Sequence, residues 1–345
     1  MPIFSAQELE EVGVKIFKAV GTKELIAREV VQSLVLSNLM GVDSHGVMRI
    51  PDYLNAIEAG WTEPNAMPEI KRENEVSALM HGNKAFGQVA ARRAMLTAIG
   101  KARKQSIGAA SFTDVYHIGR LGEWANLASS ENLIGLVIAN GSRPGGLVAP
   151  YGARQKMLGT NPLAFAIPAG TFPPLLADFS TAAVAEGKIR IAFHKGENIP
   201  EGWIIDSQGR ATTNPGDLYE GGAILPFGDH KGYALALMVE VIGGILSGAD
   251  TPIFPDYEQM CNGVFMLAIE PTFFRPEEEY SKAVDFLFSA VTQALPVQGM
   301  DSALIPGEPE RRRKAEREKD GVPVDDKTWQ DIQVAAQKIG IDLTT

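Results

Sequence analysis

The sequence predicts an α/β protein in which a sheet-rich centre lies between helical N-terminal and C-terminal segments. Over residues 5–42, apolar side chains recur at the spacing of an amphipathic helix. From residue 132 onward, short apolar runs alternate with Gly- and Pro-rich loops, a pattern typical of strands. The tail after Pro306 is charged and has helical spacing again. A chain of 345 residues exceeds one small core, so two domains are expected.

The helices follow from apolar spacing and from start signals. Ser5 and Glu8 form a capping box before the first helix, and Thr22 with Glu24 opens the second. Further helices are predicted over 53–59, 90–104, 119–129, 232–246, 281–295, 310–319 and 327–339.

The strands are short and apolar. A hairpin is predicted from two extended runs, 69–73 and 76–81, which Gly82 and Asn83 close. Other strands are predicted over 107–112, 133–139, 164–167, 175–179, 202–206 and 263–269.

Composition excludes several classes of function. The formal net charge of -10 disfavours nucleic acid and anionic membranes as partners. The longest apolar run, 232–246, is short and contains Glu240, so no membrane span is expected. The N-terminus lacks the pattern of a signal peptide, and the single cysteine, Cys261, permits no intramolecular disulfide. These features predict a cytoplasmic protein.

The stretch Asp43–Pro51 concentrates groups that can handle an organic acid. His45 can give and take a proton near neutral pH. Arg49 can bind a carboxylate through two parallel hydrogen bonds. In one helical turn, residues four apart would point the same way. The stretch is equally consistent with a polar loop that leads into a helix.

Several standard motifs are absent from the sequence. No Gly-x-Gly-x-x-Gly follows a strand; the loop 140–146 has the wrong spacing and contains Pro144. A Rossmann domain is therefore not expected, and there is no Walker loop or nucleophile elbow. The five histidines have no zinc-ligand spacing, so no metal site is predicted.

Four further polar blocks stand beside predicted strands and helices. These blocks are residues 116–120, 159–162, 178–182 and 226–232, and the first of them contains His117. The last places an imidazole and an ammonium at the start of an apolar helix, where an anion can bind. Taken singly, each block is also consistent with a cap or a turn.

Taken together and in this order, the blocks resemble the type-2 malate/L-lactate dehydrogenase family. That family includes ureidoglycolate dehydrogenase, diketogulonate reductase, sulfolactate dehydrogenase and cyclic-imine reductases. The resemblance covers nearly the whole chain, and it rests on 43–51, 159–162, 178–181, 199–203, 212–215, 226–233 and 306–308.

The resemblance implies an enzyme that uses a nicotinamide cofactor and binds it in a non-Rossmann domain with a large mixed sheet. It also implies a homodimer with the active site in a cleft between domains. The chain is accordingly expected to divide into three parts. Residues 1–75 and 306–345 would form a helical domain, residues 76–124 a small α/β linking segment, and residues 125–305 a cofactor-binding sheet domain.

The resemblance also assigns catalytic roles. His45 would be the acid/base, and His117 would be the alternative or cooperating imidazole. Asp178 would hydrogen-bond near an acid/base group. Which imidazole is the principal proton carrier stays open at this point.

Substrate and cofactor contacts follow from the same motifs. Arg49 would clamp the substrate carboxylate, while Ser44 and Thr160 would lie near the substrate or the nicotinamide. The residues implied to bind the cofactor are Asn161, Phe179, Ser180, Thr181, His230, Lys231, Gly307 and Glu308.

The sequence departs from the family pattern in two places. Asp114 and Val115 replace a common Asn-Ser pair, which affects substrate choice because Val cannot hydrogen-bond a substrate. Asp229 replaces a common Gly; its carboxylate would repel a 2′-phosphate, which favours NAD over NADP.

The resulting prediction is an NAD(P)-dependent oxidoreductase of small 2-hydroxy or 2-oxo carboxylic acids. A reductase of cyclic imino acids is the alternative within the family. A catalytically silent ligand-binding homologue is the alternative of another class, and a metal-dependent hydrolase lacks the ligand spacing.

Overall fold

The computed structural model describes residues 1–141, 144–255, 257 and 261–343. Within these residues the chain is a mixed α/β protein with ten α-helices and a seven-stranded sheet. The loop predicted over 140–146 falls in part outside the described residues, because Ser142 and Arg143 do. In the described parts of the chain, no helix has the length and apolar character needed to cross a membrane.

Every predicted helix is present, although several begin or end a few residues away from the predicted bounds, and one helix is additional. Glu186–Lys195 was not predicted, because only Ile189 of this helix is buried and no apolar stripe marks it. Thr22 does not cap the second helix: Lys23 is the N-cap, and Thr22 is buried. The helices are α1 Ala6–Ala19, α2 Glu24–Leu39, α3 Ile50–Glu58, α4 Gly87–Gln105, α5 Leu121–Ser129, α6 Glu186–Lys195, α7 His230–Val239, α8 Glu277–Thr292, α9 Glu308–Asp320 and α10 Asp326–Lys338.

The strands include every predicted one and four more short ones. They are β1 Ile3–Phe4, β2 Glu69–Glu73, β3 Ser77–His81, β4 Ile107–Thr113, β5 Ile134–Asn140, β6 Leu163–Ile167, β7 Leu175–Phe179, β8 Ile204–Ile205, β9 Ala211–Thr212, β10 Ala223–Ile224, β11 Gly263–Ile269 and β12 Val322–Pro323. The large sheet has the order β2-β3-β4-β11-β5-β6-β7. Its β3–β4 pairing is parallel and its other pairings are antiparallel, unlike the parallel sheet of a Rossmann domain.

Helices α4 and α5 cover one face of this sheet and form its core. A glycine on β4 allows close approach of α4: a Cβ at Gly108 would lie 2.0 Å from the carbonyl oxygen of Ala98. Trp124 of α5 and Phe112 of β4 fill the space between helix and sheet, and both are buried. The helix that carries Gln88 is thereby held rigidly against the strand that leads to His117.

A second core joins the two ends of the chain. Helices α1, α2 and α3 pack with Val322, Val324, Ile332 and Ala336 from the C-terminal segment, and β1 pairs with β12. The seven-stranded sheet runs across the expected boundaries at 76 and 125, since β3 and β4 belong to it. The division into three parts stays a prediction.

Candidate active site

The stretch Asp43–Pro51 folds as two short 3-10 helices, Asp43–His45 and Val47–Arg49, and then enters α3. Extended backbone at Gly46 separates them, so His45 and Arg49 do not share one helical turn as expected. Asn38 of α2 fixes this arrangement, because its Oδ1 accepts the Val47 N–H at 2.8 Å. A Cβ at Gly46 would lie 2.2 Å from the same oxygen, which requires glycine there.

The C-terminal segment also holds this loop. Arg317 of α9 binds Asp43 through both terminal nitrogens, Nη1 to Oδ1 at 2.7 Å and Nη2 to Oδ2 at 3.1 Å. Such a bidentate ion pair fixes the orientation of the two side chains as well as the distance between them. Sequence reasoning missed this contact, because nothing in the charged tail distinguishes Arg317 from its neighbours.

The two predicted acid/base residues lie side by side. The ring centroids of His45 and His117 are 5.6 Å apart, with an angle of 31° between the ring planes. Nδ1 of His45 lies 3.0 Å from Ser44 Oγ, and Nδ1 of His117 lies 2.8 Å from the hydroxyl of Tyr53. The structure therefore brings together Ser44, His45 and His117, with Tyr53 as an addition that sequence reasoning missed.

Both imidazoles are neutral at neutral pH. Burial, followed by the charges of Arg49 and Arg120, lowers the pKa of His45 to about 3. Burial also lowers the pKa of His117 well below its ordinary value, helped by Arg49 and His45. A neutral imidazole has a lone pair that can accept a proton, and the nearby Arg49 charge makes both imidazoles weak bases as long as no anion compensates that charge.

Arg49 lies at the edge of this pair. Its Nε donates to the carbonyl oxygen of Ser44 at 2.7 Å, and its Nη1 donates to Asp52 Oδ2 at 3.0 Å. These two bonds fix the plane of the guanidinium and leave its remaining N–H groups for a ligand. Because its charge acts on both imidazoles, Arg49 is well placed to hold a carboxylate beside them.

Asp178 pairs with a buried arginine, Arg120. Arg120 is 5% exposed, and its Nη1 lies 3.8 Å from Asp178 Oδ2, which also accepts the Gly122 N–H at 2.7 Å. Burial raises the pKa of Asp178 against the lowering effects of Arg120 and Gly122. The Arg120 charge also depresses the pKa of His45, so this guanidinium links Asp178 to the acid/base pair.

A second group of predicted residues gathers at the end of β7. The backbone N–H and the hydroxyl of Thr181 both donate to the carbonyl oxygen of Thr160, at 2.9 and 3.1 Å. The carbonyl of Thr181 accepts the N–H of Phe227, which joins this turn to the loop before α7. Phe179 is exposed and meets Phe227 edge to face, and Ser180 is half-buried beside it.

His230 and Lys231 are the first residues of α7, and both are exposed. Asp229 is the N-cap residue, but its side chain does not cap the helix, and its φ of 57° with ψ of -120° is a strained conformation. The helix start therefore offers two basic side chains and positive partial charge. A cavity of about 470 Å³ lies next to it, lined in part by Tyr151, Arg154 and Asp229.

Asn161 is buried rather than exposed to a ligand. Its Nδ2 donates to Glu240 Oε1 at 2.9 Å and to the carbonyl oxygen of Ala236 at 3.0 Å. Glu240 also accepts from Asn140 Nδ2 and from the Gly159 N–H. The buried carboxylate of Glu240 thus fixes the turn that carries Thr160. The sequence could have indicated this role of Glu240, because it is a charged residue within an apolar helix.

Glu240 begins a single π-helical segment, Glu240–Ile245, that interrupts the helix predicted over 232–246. Such segments are frequent at functional sites. Here the segment turns the carboxylate inward to the Asn161 turn.

Gly307 and Glu308 lie against β7. Gly307 has a φ of 91°, and a Cβ there would lie 2.8 Å from Leu176 Cβ. The Leu176 N–H donates to the carbonyl oxygen of Pro306 at 2.9 Å. Glu308 starts α9 and pairs with Arg312. This segment therefore flanks the strand that ends at Phe179.

The residues at 114 and 115 both make contacts within the fold. Val115 is 2% exposed and belongs to the sheet core, and the effect of this position on substrate choice stays a prediction. Asp114, at a φ of 61°, accepts the Lys84 N–H through its side chain at 3.0 Å. Within the described parts of the chain, no three His, Cys, Asp or Glu side chains are grouped to hold a metal ion.

Comparison with known proteins identifies the family. Residues 4–333 match the family model for malate/L-lactate dehydrogenases. The chain belongs to this family. Its members are oxidoreductases, and the chain is accordingly a dehydrogenase of 2-hydroxy acids; the family implies a nicotinamide cofactor.

Individual relatives cover the whole chain. A malate/(S)-sulfolactate dehydrogenase from Methanothermus fervidus is 37% identical over 99% of each chain. The structure of sulfolactate dehydrogenase from Methanocaldococcus jannaschii superposes with a TM-score of 0.90 at 33% identity, covering 99% of this chain and 98% of the other. A Δ1-pyrroline-2-carboxylate/Δ1-piperideine-2-carboxylate reductase from Pseudomonas putida is 30% identical over 96% of each chain.

Proposed function

We propose that this dehydrogenase interconverts a small, malate- or lactate-like 2-hydroxy acid and its 2-oxo acid, with NAD as the hydride carrier. The observation that carries this proposal is the pair of imidazoles, 5.6 Å apart, beside the Arg49 guanidinium. That arrangement supplies a carboxylate clamp and a proton acceptor at adjacent positions. A 2-hydroxy acid presents its carboxylate and its hydroxyl on neighbouring carbons, so it matches both.

Arg49 orients the substrate in this proposal. Its bonds to Ser44 and Asp52 hold the guanidinium in place before substrate arrives, so less freedom is lost on binding. Orientation of the two reactants can remove several kcal/mol of the barrier to hydride transfer.

Substrate binding also changes the proton affinity of the histidines. The Arg49 charge helps to depress the pKa values of His45 and His117. A bound carboxylate compensates that charge and raises both pKa values towards the ordinary range. An imidazole then takes the hydroxyl proton more readily when the substrate is in place, and returns it in the reverse direction.

The residues at the end of β7 and the start of α7 fit a nicotinamide dinucleotide. Phe179 offers an exposed aromatic face, and His230 with Lys231 offers two basic side chains at a helix N-terminus, where phosphates bind well. When bound, the cofactor supplies the hydride acceptor, and Thr160 and Ser180 line the turn beside it. Asp229 supports NAD over NADP, because a carboxylate repels a 2′-phosphate.

We also propose a cytoplasmic homodimer. An apolar stripe of exposed side chains on α7 and the segment after it, Leu237, Met238, Val241 and Ile245, supports a self-association surface. The single cysteine is consistent with a reducing compartment. Light scattering on the purified protein tests the dimer; a monomeric mass would overturn it.

Absorbance at the NADH band with a panel of 2-oxo acids and cyclic imino acids tests the reaction. We expect oxidation of NADH, faster than that of NADPH, with at least one malate- or lactate-like 2-oxo acid. Turnover of cyclic imines alone would favour the second candidate, a reductase of cyclic imino acids, which the Pseudomonas putida relative supports. Cofactor binding without turnover of any compound would favour a catalytically silent homologue.

A further inference from the structure

We propose that Gln88, acting through Tyr53, fixes the tautomer of His117, so that this imidazole presents Nε2–H to the substrate oxygen. Gln88 is thus a positioning residue, and the inference rests on the proposed function. It divides the work between the two imidazoles: His117 holds the oxygen at the reacting carbon by a hydrogen bond, and His45 exchanges the proton.

The three side chains form one continuous chain of hydrogen bonds. Gln88 Nε2 lies 2.7 Å from the hydroxyl oxygen of Tyr53, and that oxygen lies 2.8 Å from His117 Nδ1. Gln88 is fully buried and Tyr53 is 3% exposed, so water does not replace either bond. Both distances are those of well-formed hydrogen bonds.

The direction of the chain follows from the first donor. An amide nitrogen only donates, so the Tyr53 oxygen accepts from Gln88. Among the described residues, the other hydrogen-bond partner of the phenol is Nδ1 of His117, so the phenolic hydrogen has this nitrogen as its acceptor, and Nδ1 then carries the lone pair. Burial raises the pKa of Tyr53, which keeps this hydrogen on the phenol. In a neutral imidazole the remaining proton is therefore on Nε2.

Packing holds each member in place. Tyr53 packs among the rings of Phe17, Phe86 and Tyr116, at centroid distances of 6.5, 6.3 and 6.3 Å. Gly87 lets the start of α4 approach the catalytic loop, because a Cβ there would lie 2.1 Å from the His117 carbonyl oxygen. Gln88 is the next residue in the chain, so the backbone contact between Gly87 and His117 sets the distance of Gln88 from the imidazole.

His45 has no such constraint. Its Nδ1 faces the hydroxyl of Ser44 at 3.0 Å, and a hydroxyl can rotate to donate or to accept. His45 can therefore change tautomer as it gains and loses a proton, whereas His117 is held in one form. The hydrogen-bond chain from Gln88 through Tyr53 therefore makes the two neighbouring imidazoles different, with one fixed tautomer at His117 and two accessible tautomers at His45.

The tautomer can be measured directly in the intact protein. Long-range proton–nitrogen correlation spectra of protein labelled at histidine nitrogens report which ring nitrogen is protonated. His117→Gln identifies the His117 signals among the five histidines. We expect Nε2–H for His117 in the unaltered protein; an Nδ1–H form would overturn the proposal. This measurement needs no turnover, so its failure is distinct from failure of the proposed function.

Two substitutions at position 88 test the cause. Gln88→Met keeps the length of the side chain and removes the donor, so His117 should show a mixture of tautomers. Gln88→Glu can accept the phenolic hydrogen, which should reverse the chain and give Nδ1–H. We expect kcat to fall at least about 10-fold in both, as for lost partners that orient a metal-bound imidazole. KM and the Kd for NADH should change little.

Tyr53→Phe is the independent variant, and it should match Gln88→Met in tautomer and in kcat. Ser111→Ala is the matched control, since it also removes a buried hydrogen bond, to the Val264 carbonyl, but lies outside the chain. Turnover of Gln88→Met and Tyr53→Phe within twofold of that of Ser111→Ala would overturn the proposal. The proposal would also be overturned if the tautomer of His117 were the same in Gln88→Met and Tyr53→Phe as in the unaltered protein.

Discussion

The proposed acid/base region and the proposed cofactor region of this dehydrogenase are built differently. In the first, His45, His117 and Arg49 each make a hydrogen bond to a neighbouring group. In the second, Phe179, His230 and Lys231 stand exposed at the ends of secondary structure. In the proposed function, proton transfer therefore depends on internal packing, whereas cofactor binding depends on exposed faces and charges.

One structural link joins the two regions. Arg120 pairs with Asp178 near the end of β7, and its charge also lowers the pKa of His45. Because the two regions otherwise differ in construction, we expect changes in the proposed acid/base region to alter turnover and to leave cofactor affinity nearly constant. Changes at the start of α7 should alter cofactor affinity and leave turnover nearly constant.

The largest effect is expected at His45. His45→Gln removes the group that exchanges the proton, so turnover should fall about 10²- to 10⁴-fold. Fluorescence titration should show nearly unchanged NADH binding. His194→Gln is the matched control, because His194 is exposed on α6. Full activity of His45→Gln would remove His45 from the mechanism.

The enclosed state of His45 also predicts a stability effect. Its pKa is about 3 in the folded protein, against an ordinary 6.5. Between these two values, the unfolded chain binds a proton that the folded chain does not, so stability is lost as pH falls through this range. At about 1.4 kcal/mol for each pKa unit, the difference between these two pKa values contributes about 5 kcal/mol at most.

Buried carboxylates oppose this trend, so the His45 contribution must be isolated. Burial raises the pKa values of Glu29, Glu123 and Asp178, which favours the folded state as pH falls. Urea unfolding of the unaltered protein and of His45→Gln, compared at pH 7 and pH 4.5, gives the difference. The variant should lose less stability on acidification; an equal loss would mean that His45 is protonated in the folded protein.

Arg49→Lys should have a smaller effect that falls on substrate binding. Lysine keeps the charge but loses the planar fork, so KM for the acid should rise about 10- to 100-fold. The Kd for NADH should stay constant. Arg28→Lys on the exposed face of α2 is the control. An unchanged KM for Arg49→Lys would show that another group holds the carboxylate.

The contrast between the regions also explains what the sequence could predict. His45, Arg49 and His117 stand in short motifs, and the structure brings all three together. Tyr53 and Gln88 are single polar residues in helical patterns, and only the packing of α3 and α4 brings them to His117. Contacts of this kind are set by tertiary packing and leave no mark on spacing.

The same limit applies to the fold. Helix and strand positions followed from periodicity, but the order of the sheet did not. Strand β11 lies between β4 and β5, although more than a hundred residues separate it from both in the chain. Such pairing depends on which faces can be buried together, which a local pattern does not encode.

The smallest effect is expected at Asp229, on the cofactor side. Asp229→Asn removes the negative charge and keeps the side-chain size. Because the residue is exposed, its repulsion of a 2′-phosphate is modest, and the Kd for NADPH should fall roughly 2- to 5-fold. The Kd for NADH and kcat with NADH should change little, in contrast to the variants at His45 and Arg49.

Asp229→Gly separates charge from backbone strain at the same position. It should match Asp229→Asn in cofactor preference, because both remove the carboxylate. Glycine also accepts the φ of 57° and ψ of -120° more readily, so only Asp229→Gly should raise the free energy of unfolding, by about 1 kcal/mol. If only the glycine variant gains affinity for NADPH, the conformation of the helix start controls the preference, and charge repulsion does not.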